Sequence, residues 1–447
     1  MSPAVAEIEP KPAGGSGVPW APGTSPSLSP PPLWRGSCWN LGGTVVYAAC
    51  QWGILVALAK LGSPEAVGRF AFGLALTAPI FLFANLQLRS IQATDARGEF
   101  TFADYLALRL AMIGLAGLVV AGLVGLGRLD PATGRIVVAV AVAKAIESIG
   151  DIFHGHFQRH ERMDRVAVSM MLKGVLSLAA LGGIMAATGR VAWAASGLAL
   201  AWAAVLIGFD VPAALRLHAR ANQPRVRAAG LARLARLALP LGIVMATISV
   251  GANLPRYFIE RQSGPRDLGF FAAMAYLMVA SNTVINALGQ AASPRMARDF
   301  AEGRVGEFRA RLARLLGLAA GVGVLAVAAV AACGRPILAA LYAPEYAARA
   351  DVFLGLTVAA AVSSLASLAG FGMTAARCLW VQTPLFLGVA GVMAISCAGL
   401  IPALGLRGAA MATVAAALAQ LVGSVVVLEW ALRRQGIARS CPPSSSL

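Results

Sequence analysis

The feature that most constrains this chain is a series of twelve separate apolar runs, each about 20 residues long. An α-helix of that length crosses a hydrocarbon core of about 30 Å. Because lipid offers no partner to a backbone N–H or C=O group, separate apolar segments cross a bilayer only as helices. The predicted spans are 40–60, 66–88, 104–126, 134–156, 166–187, 191–211, 238–259, 268–291, 312–333, 351–373, 381–401 and 407–430. The predicted fold class is an all-α polytopic membrane protein of about twelve transmembrane helices.

Composition supports this class and excludes others. Apolar residues make up 58% of the chain and charged residues 13%, against about 25% charged residues in soluble domains. These values exclude a soluble globular enzyme, a disordered chain and a disulfide-rich secreted domain. The six cysteines form no CxxC or metal-type spacing, so we interpret them as small hydrophobic residues.

The net charge of +17 is distributed in a way that predicts topology. Lysines and arginines cluster between the apolar runs, which favours anionic membrane lipids as partners and not nucleic acid. With the N-terminus placed inside, 24 of the 37 basic residues fall on the inner side, 11 on the outer side and two within spans. The positive-inside rule therefore predicts a multi-pass protein of the plasma (inner) membrane with both termini cytoplasmic.

Changes in composition divide the chain into five segments. Nine of the 24 prolines lie in residues 1–32, a stretch that cannot bury a core. Six arginines lie between spans six and seven and separate two sets of six helices. The predicted segments are a disordered cytoplasmic tail at 1–35, a six-helix lobe at 36–215, a basic linker at 216–237, a second six-helix lobe at 238–432 and a cytoplasmic tail at 433–447.

The two halves carry matching residues at an offset of 201 positions. The matching pairs are Pro64 and Pro265, Gly68 and Gly269, Phe70 and Phe271, and Asn85 and Asn286. Six helices in each half give both halves the same orientation in the membrane. We therefore expect two pseudo-symmetric lobes related by an axis along the membrane normal, as in several transporter folds.

Five polar residues inside span four follow one another at steps of three and four, which places them on one helical face. They are Lys144, Glu147, Asp151, His154 and Gln158. Ionisable groups at this depth are costly unless they face a cavity or a partner. Two interpretations remain open: the wall of a water-filled cavity, or a Lys144–Glu147 ion pair followed by hydrated residues at the cytoplasmic end.

Three further basic residues lie within or beside the spans. Lys173 in span five meets an anionic headgroup, or pairs with Glu147 or Asp151. Arg89 lies at the cytoplasmic end of span two, where it reaches the membrane interface or guards an anion path. Near the outer end of span seven, Arg256 lies on one helical face with Asn253 and Glu260, where an i,i+4 ion pair with Glu260 is expected.

No motif for covalent chemistry is present in the sequence. There is no phosphate loop, catalytic triad signature or HExxH sequence. The three histidines within 154–160 lie among arginines, which disfavours metal binding. We therefore predict no catalytic residue, no cofactor and no metal.

Several stretches together resemble the oligosaccharide flippases of the O-antigen and capsule (Wzx-like) type. These belong to the MOP superfamily, with the MATE exporters and the lipid II flippase MurJ. The similar stretches are LAKLGSPEAVGRFAFGLALTAPIFLFANLQLR (58–89), FHGHFQRHERMDRVAVSMMLKG (153–174), LPRYFIE (254–260) with LGFFAAMAYL (268–277), and LYAPEYAARADVFLGL (341–356). The resemblance runs over roughly 35–432 of this chain.

The resemblance implies a two-lobe transporter that works by alternating access and is not an enzyme. Its implied cargo is a polyprenyl-pyrophosphate-linked oligosaccharide, moved from the cytoplasmic to the outer leaflet, with polysaccharide polymerase machinery as a further partner. The candidate residues for binding the anionic headgroup are Arg89, Lys144, Lys173 and Arg256. The candidates for coupling to a proton or sodium gradient are Glu147 and Asp151.

Two other functions are weighed against this one. The first is a MATE-type cation-coupled exporter of small molecules. Proteins that resemble this type use an acidic residue on the first helix for coupling, and span one has no acidic residue. A membrane-embedded enzyme acting on lipid-linked sugars needs substrate-holding outer loops. The longest predicted outer loop, 334–350, has 17 residues and offers little room for that chemistry.

Overall fold

The computed structural model of the protein describes residues 33–95, 98–126, 129–218 and 228–440. Over these ranges every regular element is a helix. The elements are α1 (Leu33–Leu61), α2 (Pro64–Asn85), α3 (Leu88–Thr94), α4 (Phe102–Gly125), α5 (Pro131–Arg159), α6 (Met163–Thr188), α7 (Val191–Val205), a π-helical segment (Leu206–Asp210), α8 (Val211–His218), α9 (Ala228–Ala301), α10 (Val305–Leu341), α11 (Pro344–Ala347), α12 (Ala350–Ala375), α13 (Leu379–Leu404) and α14 (Leu406–Ser440).

Ten of the described helices are long and apolar enough to cross a membrane. One of them, Gly230–Leu277 within α9, contains the predicted span 238–259 and the first part of the span 268–291. Between the two, the backbone at Gly264 leaves the helical region and kinks the helix. Helix α5 is also long enough at 29 residues, although its charged residues make it less apolar than the rest. It packs against α2, α4, α6 and α7, which are themselves candidate spans, so we count α5 as a membrane helix as well. The protein is therefore an all-α polytopic membrane protein, as predicted.

Helix ends follow ordinary capping chemistry. Ser63 caps α2 by accepting a hydrogen bond from the N–H of residue 66, and a proline follows at the first helical position. Thr101 and Asp104 form a capping box at the start of α4. Asp130 caps α5 in the same way as Ser63 caps α2. These caps satisfy backbone N–H groups at helix ends and fix where each helix begins.

The predicted tails and linker lie partly outside the described residues. This applies to 1–32 of the N-terminal tail, 219–227 of the linker and 441–447 of the C-terminal tail. Within the described part, α1 begins inside the predicted tail, at Leu33, and α14 continues past residue 432 to Ser440. The division into five segments stays a prediction.

The longest predicted outer loop is mostly helical, which corrects the sequence analysis. Helix α10 continues through Leu341, and the short helix α11 follows. Two buried tyrosines explain this arrangement. Tyr342 and Tyr346 stack with ring centroids 5.2 Å apart, and the Tyr342 hydroxyl donates to the carbonyl oxygen of Ala273 at 2.7 Å. Burying these rings against α9 holds the segment against the bundle.

The helices form two bundles that meet along α2 and α9. Helix α1 packs on α6 and α5 on α7 in the first bundle, while α12 packs on α10 and α14 in the second. The bundles cross where α2 and the second half of α9 begin. A Cβ atom added at Gly68 would overlap the carbonyl oxygen of Pro265, and one added at Gly269 would overlap that of Pro64. The crossing is thus built by residues that the sequence repeat relates, and the absence of side chains there allows the backbones to touch.

Candidate functional site

The two ends of the helices form two faces of the molecule. We call the end with residues 160–162 and 302–304 the basic face, and the end with residues 62–63, 189–190 and 342–349 the opposite face. The sequence predicts that the basic face is cytoplasmic. Most of the polar residues inside the first bundle lie between the middle of α5 and the basic face.

The first polar group is an ion pair in the middle of α5. Lys144 Nζ lies 2.7 Å from Glu147 Oε2, and both side chains are about one third exposed or less, at 26% and 33%. The Tyr47 hydroxyl on α1 donates to Glu147 Oε1 at 3.2 Å. The Lys144 ammonium also lies 5.6 Å from the ring centroid of the buried Trp202, within cation–π range. The ion pair expected from the i,i+3 spacing is therefore present.

The second group joins two arginines to one carboxylate, and we call it the arginine cluster: Asn85, Arg89, Arg109, Asp151 and Gln158. Arg89 Nη1 lies 3.3 Å from Asp151 Oδ1, and Arg109 Nη2 lies 3.2 Å from Asp151 Oδ2. Arg89 Nε also donates to Gln158 Oε1 at 3.4 Å, and Arg109 Nη1 donates to Asn85 Oδ1. One carboxylate neutralises one guanidinium, so the cluster keeps one unit of positive charge.

Partial exposure indicates what these groups face. The side chains of Arg89 and Asp151 are 30% and 27% exposed, while Arg109 is fully buried behind them. An exposed ionised group is costly against hydrocarbon but not against water. We interpret the space beside Arg89, Asp151, Lys144 and Glu147 as a water-filled cavity, which we call the cavity. This interpretation of the helix face stays a prediction, and the Lys144–Glu147 pair of the other interpretation is present.

The third group is fully buried and corrects the pairing expected for Lys173. Its Nζ lies 3.0 Å from Asp210 Oδ2 in the π-helical segment, and both side chains are at most 5% exposed. Lys173 thus pairs with neither Glu147 nor Asp151, because α6 turns it toward the end of α7. His154 is also buried and shares a hydrogen bond of 2.9 Å with Ser169 Oγ, so it is not a hydrated interface residue.

Arg256 lies apart from these groups, nearer the opposite face. Its Nη1 donates to Asn253 Oδ1 at 2.5 Å. The expected i,i+4 ion pair is absent: within the described residues Arg256 has no carboxylate within 4.0 Å, and Glu260 Oε2 is buried without a hydrogen-bond partner. The structure therefore does not bring Arg256 together with the other three candidate cations.

Further contacts hold the two bundles together at the opposite face. Trp52 Nε1 on α1 donates to the hydroxyl of Tyr342 at 3.1 Å, and Lys60 Nζ donates to the carbonyl oxygen of residue 340 at 3.0 Å. Arg266 at the start of the second half of α9 lies 3.5 Å from Glu65 on α2 and 2.9 Å from Glu345 on α11. Together with the glycine crossing, these contacts join the two bundles at the opposite face, while the arginine cluster lies toward the basic face.

The second bundle offers a different environment. A cavity of about 280 Å³ lies between α9, α10 and α12, and its lining is apolar, with Met274, Val322 and Phe353 among the residues. The hydroxyls of Thr357 and Ser364 at its wall bond to carbonyl groups of their own helix and add little polarity. Ionic groups of the transmembrane region are therefore concentrated in the first bundle.

Two functional candidates were not identified from the sequence. Arg109 lies near the start of a very apolar helix and Asp210 near the end of another, where single charges are usually hydrated interface residues. The π-helical turn that carries Asp210 is a feature often found at functional sites, and it has no clear sequence signature. No group of three or more potential metal ligands is found among the described residues.

Comparison with known proteins places this geometry in context. Residues 33–300 match the family model described as "Polysaccharide biosynthesis protein". The chain is 25% identical over 311 residues to the capsular polysaccharide biosynthesis protein CapF of Staphylococcus aureus, covering 68% of this chain and 75% of that protein. Its fold is similar to a multidrug resistance MATE transporter of the MOP superfamily. The TM-score is 0.68 with an inward-facing structure at 15% identity and 0.55 with an outward-facing structure at 16% identity. In both cases 92% of this chain and 96% of the other are covered.

Proposed function

Because the chain belongs to the polysaccharide biosynthesis protein family and has the fold of MOP transporters, we propose that it is a lipid-linked oligosaccharide flippase. It moves a polyprenyl-pyrophosphate-linked oligosaccharide from the cytoplasmic to the outer leaflet of the plasma membrane. The basic face is cytoplasmic in this proposal, and both termini lie on that side. No covalent chemistry is assigned to the protein. Polysaccharide polymerase machinery then acts on the lipid-linked oligosaccharide in the outer leaflet.

The observation that carries this proposal is the arginine cluster. Two guanidinium groups share one carboxylate, and the outer one, Arg89, is 30% exposed to the cavity. Guanidinium groups bind phosphate oxygens through paired charge-assisted hydrogen bonds. A pyrophosphate that enters the cavity can therefore displace part of the Arg89–Asp151 contact and use the positive charge that the cluster retains. Lys144 lies about two helical turns deeper on the same face and supplies the next cation.

The closed opposite face supports transport by alternating access. In this structure the two bundles meet at the Gly68–Gly269 crossing, and the arginine cluster lies toward the basic face. Transport then requires the crossing to separate and the cavity to close at the basic side. Arg256 lies near the opposite face and meets the headgroup late in this movement. Glu147 and Asp151 stay candidates for ion coupling, although each already holds a cation.

The similarity to multidrug MATE transporters supports the fold and not drug transport. Their identity to this chain is 15–16%, and α1 has no acidic residue in the described residues. A cavity wall with a surplus of guanidinium charge favours an anionic cargo over the cationic compounds that an acidic wall selects.

The test is complementation of a deletion strain with matched arginine variants. Arg89→Gln removes a cavity cation that shares Asp151 with Arg109. Arg311→Gln removes an arginine that shares Asp299 with Arg304, at 2.9 and 3.0 Å, in a similar cluster of the second bundle at the basic face. Loss of one charge-assisted hydrogen bond of about 1.5–3 kcal/mol weakens headgroup binding about 10- to 150-fold.

We therefore expect Arg89→Gln to accumulate lipid-linked repeat units and lose surface glycan, with protein levels unchanged. Arg311→Gln should restore both to wild-type values. Equal and full complementation by the two variants would contradict the assignment of the arginine cluster to headgroup binding.

A further inference from the structure

The buried group around Asp210 has no role in headgroup binding as described above. The group consists of His154 on α5, Ser169 and Lys173 on α6, and Asp210 at the end of the π-helical segment. The Asp210 side chain has no exposed area, and the Lys173 and His154 side chains are 5% and 8% exposed. The group lies inside the first bundle, between α5, α6 and the π-helical segment.

Asp210 is poorly satisfied for a buried carboxylate. Lys173 Nζ lies 3.0 Å and His154 Nε2 3.9 Å from its oxygens, and the Ser169 hydroxyl also lies beside it. Among the described residues, however, no hydrogen bond to either oxygen of Asp210 has good geometry. A buried ionised carboxylate ordinarily requires several such bonds, because burial removes its hydration. A single proton would remove that requirement, since it converts the carboxylate into a neutral acid.

Lys173 also interacts electrostatically with a second carboxylate, that of Glu147, which lies on the same face of α5 as Asp151. Gly150 on α5 lies beside the Lys173 side chain. A Cβ atom added at Gly150 would lie 2.6 Å from Lys173 Nζ and 3.5 Å from Asp210 Oδ2. The glycine therefore leaves room for the lysine side chain beside α5, which an alanine would not.

Other charges around Asp210 come from each neighbouring element. They are His154, Glu147 and Asp151 on α5, Lys173 and Arg165 on α6, Arg216 on α8, and at longer range Arg89 on α3. Arg165 is held by the carbonyl oxygen of Ala213 at 2.5 Å, beyond the π-helical segment. Lys173 is therefore the cation in direct contact with Asp210 among the described residues.

We propose that Asp210 binds one proton in each transport cycle and that this proton releases Lys173 toward the cavity, where the ammonium helps to bind the pyrophosphate. A proton from water adds to the Asp210 carboxylate and forms the neutral acid. Lys173 keeps its own proton and exchanges Asp210 for Glu147. The positive charge available to an anion in the cavity rises by one unit.

The site therefore couples proton uptake to headgroup binding. This inference rests on the proposed function for the identity of the anion, but the proton site itself does not depend on it. Since the two binding events are linked, the proton strengthens anion binding by the same factor by which the anion strengthens proton binding.

The first experiment detects the proton without any substrate. Infrared difference spectra of the purified protein in lipid nanodiscs are recorded on acidification, and a buried protonated carboxyl group gives a separate C=O band. All proteins in this experiment carry Glu260→Gln, because Glu260 Oε2 is also buried without a hydrogen-bond partner and would give a second band. On this background we expect one such band when Asp210 is intact and its loss in Asp210→Asn. Asp299→Asn is the matched control. Burial opposes ionisation of Asp299, but hydrogen bonds from Arg304 and Arg311 outweigh it and hold its pKa below the ordinary value. The band should persist in that control. A band that persists in Asp210→Asn, or no band when Asp210 is intact, overturns the proton site.

The second experiment tests the link to the headgroup, with geranyl diphosphate as the probe. The diphosphate of the probe changes its own protonation with pH, and this effect is the same for all variants. The pH dependence of probe binding to Asp210→Asn therefore serves as the reference. Relative to this reference, acidification should tighten binding to the wild type by about 5- to 150-fold, the usual range for coupled sites. Lys173→Met should bind weakly at every pH. A wild-type pH dependence identical to that of Asp210→Asn would overturn the coupling.

Folding defects are separated by a double variant. A buried ion pair replaced by apolar residues of similar size often leaves stability unchanged or higher. The double variant Lys173→Met/Asp210→Leu should therefore fold and keep the opposite face closed. It should show no carboxyl band, and acidification should not tighten its binding of the probe beyond the Asp210→Asn reference. If the band is lost in Asp210→Asn but geranyl diphosphate binds to no variant, the proton site stands and the assignment of a pyrophosphate cargo fails.

Discussion

A single methyl group at Gly68 should shift the protein away from the closed state of its opposite face. A Cβ there overlaps the carbonyl oxygen of Pro265, a backbone atom that cannot move without moving the second half of α9. Gly269 presents the same problem to Pro64, so the contact is reciprocal. The crossing exists only while the bundles are joined at this face, and the clash therefore acts on that state alone.

The size of the effect follows from two opposing terms. Replacement of a helical glycine by alanine stabilises a helix by about 0.5–1 kcal/mol, and this gain applies to every state. Insertion of a methyl group into a packed contact costs about 1–3 kcal/mol, and this cost applies only to the joined state. The difference between the states is the clash term, which changes the ratio of open to closed opposite faces by about 5- to 150-fold.

The change can be measured by electron–electron distance spectroscopy. Spin labels are attached at Thr188→Cys in the first bundle and Leu404→Cys in the second, because both residues are exposed and lie at the opposite face. The six native cysteines are replaced first. We expect Gly68→Ala to add a longer distance population. Gly117→Ala on α4 is the control, because an added Cβ there meets nothing within 4 Å. An unchanged distance distribution for Gly68→Ala, in protein that is folded, would refute the role of this crossing as the closure.

Three other outcomes follow from the same contacts. Lys173→Met alone leaves Asp210 buried without a cation and should lower the free energy of unfolding by about 3–5 kcal/mol, seen as a lower melting temperature. Lys173→Met/Asp210→Leu should recover most of that loss in the same melting assay. Gly150→Ala should slow transport while expression stays normal, because the new Cβ obstructs the lysine side chain; Gly122→Ala, with open space around it, should not. Asp299 has a pKa below its ordinary value because of Arg304 and Arg311, so it stabilises the protein above the unfolded pKa of about 3.9. Asp299→Asn should therefore lower the melting temperature at neutral pH and lose this effect in acid, and a penalty that is equal at both pH values would contradict it.

The positions of the membrane helices could be predicted closely, because apolar length alone decides which segments cross a bilayer. Even α5, which is less apolar, was predicted as a span from the apolar run at 134–156. The offset of 201 residues between Gly68 and Gly269 indicated the two-lobe arrangement, and the structure brings these two residues together. Helix ends were predicted less well, as the continuation of α10 through Leu341 demonstrates.

The pairing of charges could not be predicted, because it depends on how neighbouring helices are rotated. The Lys144–Glu147 pair lies within one helix, so its spacing was enough. Lys173 and Asp210 are on different helices, and their contact also depends on a π-helical turn that changes the direction of the residues after Val205. Arg109 was overlooked for a similar reason: its partner Asp151 lies 42 positions away on another helix.

The most direct test of the central claim is the leaflet position of the lipid-linked glycan after deletion of the gene. Intact cells or right-side-out vesicles are treated with a membrane-impermeant glycosidase, and the remaining lipid-linked repeat units are measured by mass spectrometry. The account predicts that complete repeat units accumulate, that they are protected from the enzyme, and that the wild-type gene restores both access and surface glycan. Accumulated repeat units that are fully accessible in the deletion strain would show that another protein moves them, and would contradict the assignment of this chain as the flippase.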